Sequence, residues 1–367
     1  MAASCGTSSP PSAAPSSTES PSTAASPTTT TTTTTPSTTT TVATTTTADR
    51  PIVARRALVD VKGTLTALSP SGGPPAWTLA EAVASADGAS AYRVEGGPLL
   101  VRFDTARGVA NGRWSLPAGG AWRVVVVSPD GTHVVLTDGV IDSDHRPATT
   151  RLIVWSSQSP DQPRLVERPG ALQPEALSPD GRTVFLLDHH STYYRVRILD
   201  LLTSELYDSI GRDKSPAEDM YGHAVHAVLS ADGLVLSTLY RVADLTQKPF
   251  VHVLYLAGSW SYCADLPPGD YTSIASSLDG RTVYVGAANG SWITIDVSHM
   301  SEVSSDALPM VVHPASTPPV PLAVGGSLVT ADATVTADAA GVTWYRNGAL
   351  LAHVSAPIAR LVALVPA

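Results

Sequence analysis

The feature that most restricts this chain is a short phrase that returns five times. It stands as Val83-Ala84-Ser85-Ala86-Asp87-Gly88, Val126-Val127-Ser128-Pro129-Asp130-Gly131 and Ala176-Leu177-Ser178-Pro179-Asp180-Gly181. Two further copies follow, Val228-Leu229-Ser230-Ala231-Asp232-Gly233 and Ala275-Ser276-Ser277-Leu278-Asp279-Gly280. Successive glycines lie 43, 50, 52 and 47 residues apart. In the phrase a short apolar run enters a turn. Proline presets φ at the second turn position, aspartate tolerates the third, and glycine supplies the positive φ that closes a hairpin with a bulge. A second strand follows at once, as in Thr183-Val184-Phe185-Leu186-Leu187. A third alternates, as in Trp292-Ile293-Thr294-Ile295-Asp296-Val297, and a weaker fourth closes the unit. A four-stranded meander that is apolar on both faces is buried only by stacking on its neighbours. A period in the forties filled with β-type segments is the pattern of propeller blades.

Counting the units gives an all-β, seven-bladed β-propeller, with six and eight blades as the alternatives. A degenerate unit runs from Leu322 and includes the Asn347-Gly348 hairpin signal. The chain then ends Leu361-Val362-Ala363-Leu364-Val365, which reads as a first strand that stops at its turn. The strands it lacks stand at the other end, in Ala57–Leu68 and Ala76–Leu79. Residues 52–366 give 45 positions per blade for seven blades. The ring is therefore expected to close by pairing of N- and C-terminal strands, which removes the exposed sheet edges of the first and last blades.

These residues resemble bacterial seven-bladed propellers of the YVTN and WD-repeat kind. Ser178-Pro179-Asp180-Gly181-Arg182-Thr183-Val184-Phe185 is similar to their second-strand entry, and Leu152-Ile153-Val154-Trp155 to their third strand. Gly222-His223 is similar to the Gly-His that opens many WD repeats, while the repeated Trp-Asp dipeptide is missing. The resemblance covers essentially all of 51–367. It implies the fold and leaves the function open, since such propellers include binding proteins, lactonases and quinoprotein dehydrogenases.

Residues 1–50 form a separate segment of Ser, Thr, Pro and Ala, with eight threonines in a row from Thr28 to Thr35. Too little apolar side chain is present there to offset ordering entropy, so a disordered tail is expected ahead of the 51–367 propeller domain. The opening Met1-Ala2-Ala3-Ser4-Cys5-Gly6 resembles the end of a bacterial lipoprotein signal, with Cys5 as the lipidated residue. The basic and apolar parts of a signal are absent, so either the true start lies upstream or the likeness is accidental. On the first reading the protein is extracytoplasmic and membrane-attached only through the lipid. On the second it is cytoplasmic.

With three lysines, twenty arginines and a net charge of −9, the chain does not offer the clustered cations of a nucleic-acid binder. Cys5 and Cys263 cannot make a disulfide framework. No Gly-x-Ser-x-Gly, Gly-x-x-x-x-Gly-Lys, His-Glu-x-x-His or Gly-x-Gly-x-x-Gly motif occurs. No catalytic residue, metal or cofactor is assigned. The two longest units carry insertions at 138–150 and 211–223, and both are predicted on the end opposite the Ser-x-Asp-Gly turns. Candidate binding residues on that end are Asp142, Asp144, His145, His189, His190, Asp219, Tyr221, His223 and Asp270. His223 and His226, three apart on a strand, are expected on opposite faces and so not as joint metal ligands. The expected role is a monomeric cell-envelope propeller that binds a protein, glycan or small molecule, or serves as a scaffold. The alternative is a channel-mouth enzyme such as a lactonase-like hydrolase.

Overall fold

In the computed structural model of the chain, the last strand pairs with the first. Arg360–Pro366 runs antiparallel to Arg55–Val61, with Ala57 opposite Leu364 and Leu58 opposite Ala363. That pair continues through Thr64–Leu68 to Trp77–Ala80 and makes one four-stranded sheet from both ends of the chain. We call it blade one. Blades two to six follow as antiparallel meanders of four strands over residues 83–115, 122–169, 172–208, 223–265 and 271–313. The short strand Ile210–Gly211 adds in parallel to the outer strand of blade five, and a parallel pairing of Ser276 and Ser277 with Leu328 and Val329 links blade six to blade seven. Blade seven spans 327–355. The protein is a seven-bladed β-propeller. The structure describes residues 55–366 apart from 143, 191–192, 209, 212–218, 231, 242–247, 278–279, 301–307, 316–326, 330–332, 339–340, 347–348 and 356–359. The tail, Cys5, most of the 211–223 insertion and the Asn347-Gly348 turn lie outside these residues.

Strand alternation sends successive side chains to two different neighbours. Ala57 and Val59 pack with Val335, Val342 and Trp344 of blade seven. Leu58, between them, packs with Ala91, Val101 and Phe103 of blade two. In blade four, Val184 and Leu186 face blade three while Phe185 faces blade five. The core is thus a circle of interfaces between blades, each built by two sheets that could not bury their apolar faces alone.

The repeated phrase makes the same serine–aspartate turn in blades two to five. In blade four, Ser178 Oγ donates to Asp180 Oδ1 at 2.5 Å and accepts the Thr183 N–H at 2.9 Å. Asp180 Oδ1 also accepts the Arg182 N–H at 3.0 Å. Burial alone would raise the Asp180 carboxyl, but these donors hold it below its ordinary value. Gly181 takes φ +69° and Gly131, Gly233 and Gly280 fall within two degrees of it. The serines at 85, 128, 178 and 230 are sealed from solvent, so the small hydroxyl side chain is required there.

Inner strands carry β-bulges. The register skips Val125 in blade three and Glu175 in blade four. Pro174 is tolerated beside the second bulge because an inner strand is the edge of its sheet and leaves N–H groups unpaired. A further bulge skips Val225 in blade five, so that His223 sits opposite Arg241 and His226 opposite Leu239. This corrects the expectation that His223 and His226 face opposite ways. The extra residue restores them to one face of the sheet.

Candidate functional site

Each Ser-x-Asp-Gly turn joins an inner strand to the second strand. The loops from second to third strand, and from outer strand to the next blade, therefore emerge at the opposite end of the ring. The described candidate residues all belong to such loops or to the strand termini beside them. They do not form one constellation. Three separate groups are visible.

The first borders a cavity of about 320 Å³ between blades three and four, to which Val83 of blade two also contributes. Val124, Val125, Val140, Ile141 and Pro174 supply apolar wall, and Arg123, Asp142 and Gln173 supply polar groups. Both walls come from the bulged parts of inner strands, where the ladder is locally opened. Asp142 Oδ1 accepts the N–H groups of His145 and Asp144, both at 2.8 Å, and lies 3.0 Å from His145 Nδ1. These donors hold the Asp142 carboxyl below the usual carboxylate range, so it is ionised and committed to shaping its own loop. Asp144 contributes only backbone to this turn, and its side chain is exposed. His189 closes the group, with Nε2 2.6 Å from Gln173 Oε1. Burial keeps this imidazole below its ordinary value, against the opposing pull of Asp142. A neutral His189 protonated at Nε2 donates to Gln173 Oε1.

The second group is aromatic. His190 stacks on Tyr193 with centroids 4.4 Å apart and approaches Asp188 Oδ2 at 3.5 Å. Tyr193 meets Tyr221 at 6.2 Å, and the Arg195 guanidinium lies over Tyr193 at 5.5 Å. Arg195 Nε donates to Asp219 Oδ1 at 2.5 Å. Met220 exchanges backbone hydrogen bonds of 2.9 and 3.1 Å with Tyr194 and is itself buried. The end of the long connection is therefore anchored to blade four. Asp219 serves that anchor, and Tyr221 is the half-exposed group left beside Tyr193.

In the third group Arg241 bridges two elements. Its Nη2 lies 2.7 Å from Asp270 Oδ1 and its Nε donates to the Tyr271 carbonyl at 3.1 Å. His223 is exposed opposite Arg241 in the strand register. Among the described residues, no three His, Cys, Asp or Glu side chains lie together as a metal-binding group.

Sequence reasoning passed over Arg123, Gln173, Tyr193 and Arg195. A signal for one of them exists: Gln173, like Glu175 two residues on, interrupts the otherwise apolar inner strand Leu172–Leu177. Arg123 and Arg195 carry none, because a single arginine on an alternating strand is ordinary.

No family model matches the chain, and no curated protein matches it. Solved structures do. A protein of unknown function from Desulfotomaculum acetoxidans is 11% identical with a TM-score of 0.49, covering 85% of this chain and 98% of that one. Hydrazine synthase of Kuenenia stuttgartiensis is 14% identical with a TM-score of 0.44, covering 83% and 98%. The β-propeller domain of Cps50 (Swd1) from Myceliophteria thermophila is 12% identical with a TM-score of 0.43, covering 76% and 86%. At such identities these likenesses say nothing of activity.

Proposed function

We propose that this chain is a non-catalytic binding propeller that captures its ligand, a small molecule or the exposed part of a protein or glycan, at the loop-rich end. The observation that carries this reading is the cavity between blades three and four. It lies beside the 139–142 loop of that end and combines apolar wall with the polar groups of Arg123, Thr137, Asp142 and Gln173, the mix by which ligand sites hold and orient a molecule. Hydrolysis finds less support there, because the Asp142 carboxylate beside the cavity is already engaged by two amide donors. The kinship with YVTN and WD-repeat propellers, the monomeric state and attachment to the cell envelope through a lipidated Cys5 belong to the same proposal and rest on the sequence.

A photo-reactive benzoylphenylalanine placed at Val140, which is 46% exposed on the cavity rim, tests the face directly. Irradiation in the producing cell should add mass to the protein labelled at 140. The same probe at Arg182, beside a Ser-x-Asp-Gly turn, should add none. Adducts from 182 alone would contradict the assignment. Replacing all of 211–223 is a poorer probe, since it removes the buried Met220 anchor along with the loop.

A further inference from the structure

The lining of the cavity between blades three and four carries one charge of each sign, and neither is matched within the chain. Trp122 and Val124 pack towards blade two, so strand alternation turns Arg123 the other way, opposite Thr137 and into the cavity wall. Other arginines at the loop-rich end are committed to carboxylates: Arg151 to Asp138 and Glu167, Arg195 to Asp219, Arg241 to Asp270. Arg123 makes no ion pair or hydrogen bond with any described residue. The carboxylate is Asp142. Its Oδ1 takes the N–H groups of Asp144 and His145 and faces His145 Nδ1, while its Oδ2 has no partner among the described residues. The turn that engages Oδ1 fixes the side chain, and with it the place of Oδ2. Arg123 and Asp142 line the same cavity yet stand beyond ion-pair distance of one another. The other lining residues are uncharged. Gln173 already meets His189, the Thr137 hydroxyl donates to the Gly139 carbonyl at 2.8 Å, and the remainder is glycine, valine, isoleucine and proline.

A simple anion in this cavity would face the Asp142 carboxylate, and a simple cation would face the Arg123 guanidinium. A molecule that carries both charges a few bonds apart meets an opposite charge at each end. Resting on the cavity as the binding site, we propose that it takes a free α-amino acid with a small apolar side chain. The amino acid's carboxylate lies on Arg123, whose guanidinium fork matches it in shape as well as charge. Its ammonium donates to Asp142 Oδ2, and its side chain rests against Val125, Val140 and Pro174. A quaternary ammonium zwitterion fits less well, because it offers Oδ2 no N–H. The volume sits at the small end of ligand sites, which favours a compact molecule over a polymer.

Isothermal titration of the full chain with three compounds tests the assignment. They are L-leucine, 4-methylpentanoate, which lacks the ammonium, and 3-methylbutylamine, which lacks the carboxylate. Leucine should bind with a Kd of about 1 mM, as expected of so small a molecule. Each truncated compound should bind about tenfold more weakly or not at all. Arg123→Met should weaken leucine about tenfold, and so should Asp142→Asn, which keeps the turn-forming Oδ1. Unchanged melting temperatures without ligand would show that both variants lose the contact and not the fold. Val140→Trp, which fills the rim from an exposed position, should block leucine. Equal binding of leucine and either truncated compound would overturn the amino-acid assignment and leave the cavity as a site for another ligand. Leucine binding that survives Val140→Trp would overturn it too, by placing leucine elsewhere. Absence of heat from leucine would overturn the amino-acid assignment alone, since the adducts at Val140 in the producing cell judge the cavity separately.

Discussion

Glu175 is a carboxyl group placed where strand alternation alone would not put one. It is the extra residue of a bulge, and the bulge turns it towards blade five. There its Oε1 accepts only a 3.5 Å contact from the Thr238 hydroxyl, and its Oε2 is sealed without a partner. The hydroxyls of Tyr194 and Tyr240, whose rings stack 5.4 Å apart, are buried nearby, interact with each other and make no hydrogen bond to the carboxyl. Burial, weakly countered by Thr238, pushes the Glu175 carboxyl up to about 7. An unfolded glutamate releases its proton near 4.5, so between that pH and 7 the folded state holds the proton more tightly. This contribution is fully present below the unfolded value and is lost as pH rises through the folded one, by about 3 kcal/mol in all. His252 acts in the opposite sense. Burial pushes it down to about 4, so its share of stability is lost as pH falls from 6.5 towards 4. The two slopes offset one another between about 4.5 and 6.5. Burial also holds His133 and His189 down, which adds to the rise that His252 gives. Urea melts of Glu175→Gln should therefore show stability rising more steeply from pH 4.5 to 6.5 than in the wild type. A wild-type profile that already rises, unchanged by the substitution, would contradict this placement of Glu175. The sequence shows Glu175 as a break in an apolar strand but not which blade it faces, because a bulge depends on partner strands that the sequence does not display side by side.

The Ser-x-Asp-Gly turn is the element that could be read in full. Its chemistry is local: serine and aspartate satisfy backbone N–H groups within five residues, and glycine accepts the left-handed backbone. The same turn also meets its neighbour, since a Cβ on Gly181 would run into the His133 ring of blade three. Two glycines separate these effects. Gly119 has φ +85° with open space around its Cβ position, so Gly119→Ala should cost only the backbone term, about 1 kcal/mol. Gly181→Ala should cost about 2–3 kcal/mol, because His133 must also move. Chemical denaturation of both variants measures the difference, and equal costs would mean that the turn does not brace the next blade. The loops were legible only as to which end they occupy. Topology fixes that, whereas the pairing of Asp219 with Arg195 or His189 with Gln173 depends on contacts between segments far apart in sequence. The bulge at Val225 shows the limit, since one inserted residue reversed the expected facing of two histidines.

At the scale of the whole molecule, everything depends on blade one. Its inner strand is the last of the chain and its other three are the first, so neither terminus forms a sheet alone. Leu58, fully buried against blade two, and Ala57 and Val59, fully buried against blade seven, tie both neighbours to this joint. This arrangement could be read from the sequence because the count of strands left over at one end matched the count missing at the other. The cavity depends on it indirectly, since the relative position of blades three and four is held by a ring with no free end. Hydrogen–deuterium exchange of the intact protein tests the joint most directly. Amides of 57–61 and 361–365 should exchange as slowly as those of the second and third strands of blade four, as one cooperative unit. Exchange of either terminal segment at the rate of an open peptide, while the other blades stay protected, would contradict the closed ring.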